Sequence, residues 1–477
     1  MRELYFQDYS RNWWQFLQSI RYARFEDLSS ASEALKILSD PKESPLKLIL
    51  DAVARQTRFE VEPTSGGGFA KAFKGASQIS SKILKKPVQK KAAKFALDKA
   101  SPDSPKEELI QGINEEFAKL HSLSPATGGK EESPKELAVL LAQYATLKEK
   151  LQYIESDPGL KAKEVATGVL EKQVGELPDA VRAIHTALPE SDFDAEARTA
   201  LFEQPLRNVW GVILKEVQSG LNDVWRNNVY QPYAQSLASC YPFDPQGKDD
   251  APIDEVVRFF DPKEGVIGKF VNEELKPFVK LDTWKSIPWM DQGLSLFPPA
   301  VDALEKAEAI RQALFEAGSA GSLKVSFNLM ADFPEPVGLK DEKKKIEIKN
   351  SIDQISLEIA GKLYPYRMGR PDWIDFSWPG TEGPLGARLT INSKKYNYEP
   401  IKSDGVWGWF RLLDKADITE VPPTECNIHW LFGQPGLNQV RIQYRLKTKS
   451  PFHPFRSTKD FFRLQLPESL ISDIVTN

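Results

Sequence analysis

Leu363-Tyr-Pro-Tyr-Arg-Met-Gly-Arg-Pro-Asp-Trp-Ile-Asp-Phe-Ser-Trp-Pro-Gly380 and Gly405-Val-Trp-Gly-Trp-Phe-Arg-Leu-Leu-Asp414 are the two stretches whose reading decides the fold. Four of the chain's eleven tryptophans lie between residues 363 and 414. Prolines and glycines punctuate this run where strands must end. On both sides apolar residues alternate with polar ones. Leu323, Val325, Phe327 and Leu329 come first, then Ile355, Leu357 and Ile359, then Leu389 and Ile391. Val440, Ile442, Tyr444 and Leu446 follow, and Phe462, Leu464 and Leu466 come last. A period of two gives each strand one apolar face. Several short strands separated by turn residues suggest a two-sheet sandwich. Residues 405–413 are apolar on all sides, which predicts a short helix plugging one end of it.

Upstream the period is 3.6. Tyr9, Trp13, Phe16, Leu17 and Ile20 share one helix face. Ser44-Pro45 reads as a capping hydroxyl followed by proline in the first turn. Further helices are expected over residues 105–120, 134–156, 179–188, 194–204, 206–218, 221–237, 253–260, 265–278 and 300–318. Trp210, Leu214, Val217, Leu221 and Trp225 form an aromatic and aliphatic stripe that reads as core. The fold class is therefore multidomain α + β: a mostly α-helical N-terminal two-thirds, then an all-β sandwich with a short plug helix. The expected domains are a helical segment at 1–60, a flexible Lys-rich linker at 61–104, one or more helical domains at 105–318, and a β-sandwich domain at 320–477.

The totals narrow the function. A chain of 477 residues, 41% apolar, can bury large cores. A net charge of −4 argues against a dedicated nucleic-acid binder. Cys240 and Cys426 lack zinc-ligand spacing and read as isolated thiols, with a single bond between them left open. No run approaches the ~18 apolar residues that span a bilayer. No signal peptide opens the chain, so it is expected to be cytoplasmic or the soluble part of a protein anchored elsewhere. From Lys71 to Lys94 there are eight lysines and no acid. That composition suits a solvated linker or contact with an anionic surface.

No set of residues for chemistry emerges. Gly66-Gly67-Gly68 is not followed by a phosphate-loop lysine. Ser44-Pro-Leu-Lys47 lacks the companion motifs of acyl-transfer enzymes. Asp192 and Asp194 open a helix, where the helix dipole favours acids. His121, His185, His429 and His453 show no metal spacing. Cys426 and His429 are the one tempting nucleophile–base couple, without an evident third group. No catalytic residue, cofactor or metal is expected. A Trp-rich sandwich also admits a sugar-binding reading, provided Trp373, Trp378, Trp407 or Trp409 forms an exposed platform.

Many short motifs in order resemble the C-terminal half of the IcmF/TssM proteins of type VI secretion systems. They are Leu4-Tyr-Phe-Gln-Asp-Tyr9, Val53-Ala-Arg-Gln-Thr57, Phe117-Ala-Lys-Leu-His121, Leu206-Arg-Asn-Val-Trp-Gly211, Leu221-Asn-Asp-Val-Trp225, Tyr241-Pro-Phe243, Phe376-Ser-Trp-Pro-Gly380, residues 405–414, and Phe462-Arg-Leu-Gln-Leu-Pro-Glu-Ser469. The resemblance implies the periplasmic part of a protein anchored in the inner membrane by helices upstream of this chain. It implies a structural role, assembly into a multimer, binding of the outer-membrane lipoprotein TssJ by the β module, and pairing of the anchor region with TssL. Relatives in Dot/Icm type IV secretion share the pattern. Turn aromatics and arginines make good interface anchors, which nominates Tyr366, Arg370 and Trp373 as partner contacts.

Overall fold

The computed structural model describes residues 2–59, 105–124, 134–191, 193–316, 321–380, 385–421, 424–449, 453–455 and 458–476. The Lys71 to Lys94 segment and Asp192 lie outside the described residues. The chain divides into two compact units. Unit 1 comprises Met1–Gly220, Pro288–Gly293 and Ile474–Asn477; unit 2 comprises Leu221–Ile287 and Leu294–Asp473.

Unit 1 is helical. Its main helices are α1 (Arg2–Gln18), α2 (Leu28–Leu38), α3 (Pro45–Thr57), α4 (Pro105–Glu116), α5 (Lys135–Glu155), α6 (Pro158–Thr167), α7 (Glu176–Ala187) and most of α8 (Gln204–Trp225). Residues 2–59 belong to the same compact unit as the helices after 105, and α1 packs among them. Trp14 stacks on Phe117 at 4.8 Å and meets Phe193 edge-on at 5.4 Å. Tyr22 donates its hydroxyl to the Leu201 carbonyl at 2.7 Å. Asn114 closes a two-way amide contact with the Phe59 backbone.

Two local expectations are corrected here. Ser44 does not cap α3 with its side chain; its buried hydroxyl donates to the Leu38 carbonyl, 2.7 Å away, tying α3 back to α2. The helix expected to break near Gly220 runs straight through it. Gly220 is a close-approach glycine: a Cβ there would sit 3.0 Å from Gly159 Cα in α6. Asp194 does cap its helix, accepting from the Ala197 amide at 2.8 Å.

Unit 2 joins helices to the sandwich. Helices α9 (Ile253–Phe260) and α10 (Pro298–Leu314) precede strand β1 (Val325–Ala331), helix α11 (Glu342–Ser351) and strands β2 (Ile352–Ile359), β3 (Lys362–Tyr366), β4 (Ile374–Trp378), β5 (Gly386–Ser393) and β6 (Ile401–Asp404). Helix α12 (Gly408–Leu413) is the expected plug, and β7 (Asp417–Val421), β8 (Glu425–Phe432) and β9 (Val440–Thr448) complete the domain. One sheet runs β6-β5-β2-β3 and the other β7-β8-β9-β1-β4, with every pair antiparallel. Tyr364 packs edge-on against Phe376 and Tyr398 against Phe432, joining the two inner faces.

The change from helix to strand near residue 320 is not where the compact units divide. They divide inside α8, because the helices after it grip the plug. Loop 241–251 forms the grip. Asp250 Oδ1 accepts from Arg411 Nη2 at 2.8 Å and Nε at 3.1 Å. The Arg411 guanidinium lies 3.9 Å over the Tyr241 ring, and Tyr241 donates to Asp414 Oδ2 at 2.7 Å. Trp407 Nε1 donates to the Ala251 carbonyl at 2.7 Å. Gly405 (φ +89°) leaves room for this carboxylate, since a Cβ there would run into Asp250.

The segment 462–466, expected as a strand, forms none. It is an extended strap laid on helical residues. Phe462, Leu464 and Leu466 are buried, Tyr233 donates to the Leu464 carbonyl, and Trp225 Nε1 donates to the Pro467 carbonyl. Asn222 then accepts from the Leu470 and Ile471 amides at 2.9 Å each and donates to the Ile471 carbonyl.

Candidate partner-docking face

The nominated residues sit on or beneath the loop between β3 and β4. Alternation along β3 sends Tyr364 and Tyr366 inward. Both hydroxyls reach back to the loop backbone: Tyr364 to the Asp372 carbonyl at 3.2 Å, Tyr366 to the Gly369 carbonyl at 2.9 Å. Burial raises the pKa of both phenols, so they stay neutral donors. Arg367 donates to Gln354 Oε1 at 2.9 Å, and Met368 takes a left-handed conformation at φ +58°. The loop is thus held from below at several points.

Its outward groups are Arg370 and Trp373. Arg370 is exposed and makes no hydrogen bond or ion pair among the described residues. Trp373 is 41% exposed, with the Arg445 guanidinium 6.0 Å from its ring. Tyr366 is different: it is 4% exposed, so it supports the loop rather than offering surface. Sequence reasoning missed Phe333, which is 46% exposed and rests edge-on against Tyr366 at 6.0 Å. A lone Phe after Asp332 carries no pattern that would have singled it out. It lines a cleft of about 340 Å³ with Lys349, Arg441 and the acids Asp332 and Glu335. Those acids are engaged by Arg445 at 3.8 Å and Arg441 at 3.1 Å.

Trp378, Trp407 and Trp409 are at most 1% exposed. Trp378 and Trp407 pack at 4.4 Å and both meet Phe410. The aromatic platform that sugar stacking needs is therefore absent from these three residues. Cys426 and His429 point to opposite faces of β8, three residues apart. Cys426 is buried, while His429 faces Asp417 at 3.5 Å. Both cysteines are thiols and not a disulfide. Among the described residues no cluster of His, Cys, Asp and Glu could hold a metal ion, and no helix is long and apolar enough to cross a membrane.

Comparison with known proteins adds the family. Residues 1–58 match the IcmF-related family described as intracellular multiplication and human macrophage-killing. Residues 216–320 match the helical domain of type VI secretion protein IcmF, and residues 343–450 its C2-like domain. The type VI secretion system component TssM1 of Pseudomonas aeruginosa is 26% identical over 493 aligned residues, covering 98% of this chain. The chain spans 40% of that relative's length. Two solved structures share the fold. A type VI secretion system membrane core complex gives a TM-score of 0.67 at 20% identity, covering 98% of this chain and 83% of that one. A type VI membrane complex gives 0.65 at 19%, covering 98% and 84%. With three family domains matched in order along one chain, this chain belongs to the IcmF/TssM family of type VI secretion proteins.

Proposed function

We propose that the chain is a periplasmic, structural part of a type VI secretion membrane complex and has no catalytic role. In this reading it links an inner-membrane anchor, carried by sequence upstream and paired with TssL, to an outer-membrane lipoprotein of the TssJ type. It also self-associates into a multimer. The order of the family domains and the likeness to membrane-complex structures support the setting. The observation that carries the docking role is the tyrosine-propped loop. It presents an arginine with no partner among the described residues beside a half-exposed tryptophan, the residue types that dominate binding hot spots.

The test is titration of the full chain with the cognate lipoprotein. Specific binding is expected, and Trp373→Ala or Arg370→Ala should weaken it by about tenfold or more. A folded chain that does not bind the lipoprotein overturns the reading. Binding that both substitutions leave intact removes the loop from it.

A further inference from the structure

Helix α11 carries a pattern that lipoprotein docking does not use. It reads Glu342-Lys-Lys-Lys-Ile-Glu-Ile-Lys-Asn-Ser351 and follows Lys340 and Asp341. Ile348 is fully buried and anchors the helix to the domain. Ile346 points the other way and is 60% exposed. Lys343 and Lys349 lie three residues to either side of it, on the same helix face. The Lys349 ammonium sits 5.5 Å from the ring of Phe333, the second exposed apolar group here.

The acids of this patch are occupied. Asp341 accepts from the Lys343 amide as the helix cap, Glu342 pairs with Lys345 at 2.6 Å, and Glu347 is held by Lys395 and Tyr396. Asp353 pairs with Lys394 at 2.9 Å. Lys340, Lys343 and Lys344 form no ion pair among the described residues. Asp341, held by a neutral amide, offsets one of these charges, and a net positive charge remains around two protruding apolar side chains. Lysines seek anionic headgroups, and short apolar side chains between them enter the headgroup–acyl boundary.

We infer that α11, with Phe333, is a contact for an anionic phospholipid surface. The apolar groups alone would suit many occupants. The excess of unpaired lysine selects a negatively charged one, and a bilayer accepts both charge and apolar tips without a shaped pocket. The inference does not depend on which protein docks at the neighbouring loop.

Co-sedimentation of the full chain with vesicles tests it. Binding is expected to equimolar phosphatidylglycerol–phosphatidylcholine vesicles, not to phosphatidylcholine alone, and should weaken as salt rises. Lys343→Gln combined with Lys344→Gln should lower partitioning roughly thirtyfold, from about 1 kcal/mol per lysine at the surface, without moving the melting temperature. Ile346→Ser should weaken it further at constant charge. Two results overturn the inference: a folded chain that ignores anionic vesicles, or a double variant that binds like the parent. The latter would move the contact to other lysines, those between 71 and 94 first.

Discussion

Arg411 shows how one side chain can hold a helical layer against a β-domain. Its guanidinium gives Asp250 two nitrogen donors, stacks on Tyr241, and approaches the Gly247 carbonyl at 3.3 Å. A lysine keeps the charge but has neither the planar fork nor the stacking face. Arg411→Lys is expected to destabilise unit 2 by about 1–2 kcal/mol, and Arg411→Ala by roughly 2–4 kcal/mol because it leaves the Asp250 carboxylate unpaired. Urea denaturation read by tryptophan fluorescence measures both, and equal costs for the two variants would refute the geometric argument. Residues 405–414 were legible as a plug helix because their apolar density is local. The partner of Arg411 was not, since Asp250 lies 161 residues away in a loop with no pattern of its own. Tyr366 is a similar case: its type suited an interface, and only the pleat of β3 reveals that it faces inward.

At the scale of elements, alternation was a good guide wherever a strand had a sheet on one side and solvent on the other. β5 and β9 follow it along their length and β1 as far as Leu329, whereas β2 departs from it at Ser356, a polar residue that is buried. The same period misled at Phe462, Leu464 and Leu466. An extended chain lying on helices also buries every second residue, and sequence does not say whether backbone partners are strands or side chains. Here they are side chains, from Asn222, Trp225 and Tyr233. The family-like motifs at 221–225 and 462–469 thus meet each other, which accounts for both in structural terms. Asn222 accepts from two amides and donates to the Ile471 carbonyl, which the Ser469 hydroxyl also reaches. Asn222→Ala should cost about 1–3 kcal/mol by leaving the Leu470 and Ile471 amides without their acceptor, and Asn222→Asp should cost less because both amides keep one. Amide hydrogen exchange at Leu470 and Ile471 is the direct readout. Unchanged protection in the alanine variant would mean that the strap is held by its apolar residues alone.

At the scale of the molecule, two units with separate cores should respond separately to acid. His121 belongs to unit 1. Thr57 gives its hydroxyl proton to the Val53 carbonyl at 2.9 Å, so its oxygen accepts from His121 Nε2 at 2.8 Å, and the neutral ring suffices. Burial, with the Arg58 charge nearby, pushes the His121 pKa down to about 4. The folded value lies below the ~6.5 of an unfolded histidine, so folding favours the neutral form. The stabilisation is complete above pH ~6.5 and is lost as pH falls towards 4. Unit 1 should therefore lose on the order of 2 kcal/mol between pH 7 and pH 4 from this ring alone. Calorimetry of the full chain should show the unit 1 transition moving down over that range, and His121→Gln should flatten the shift. Asn222→Ala should move only the transition of unit 2. A single transition shifted alike by acid and by Asn222→Ala would mean that the two cores melt as one. If His121→Gln leaves the acid response unchanged, other groups carry it.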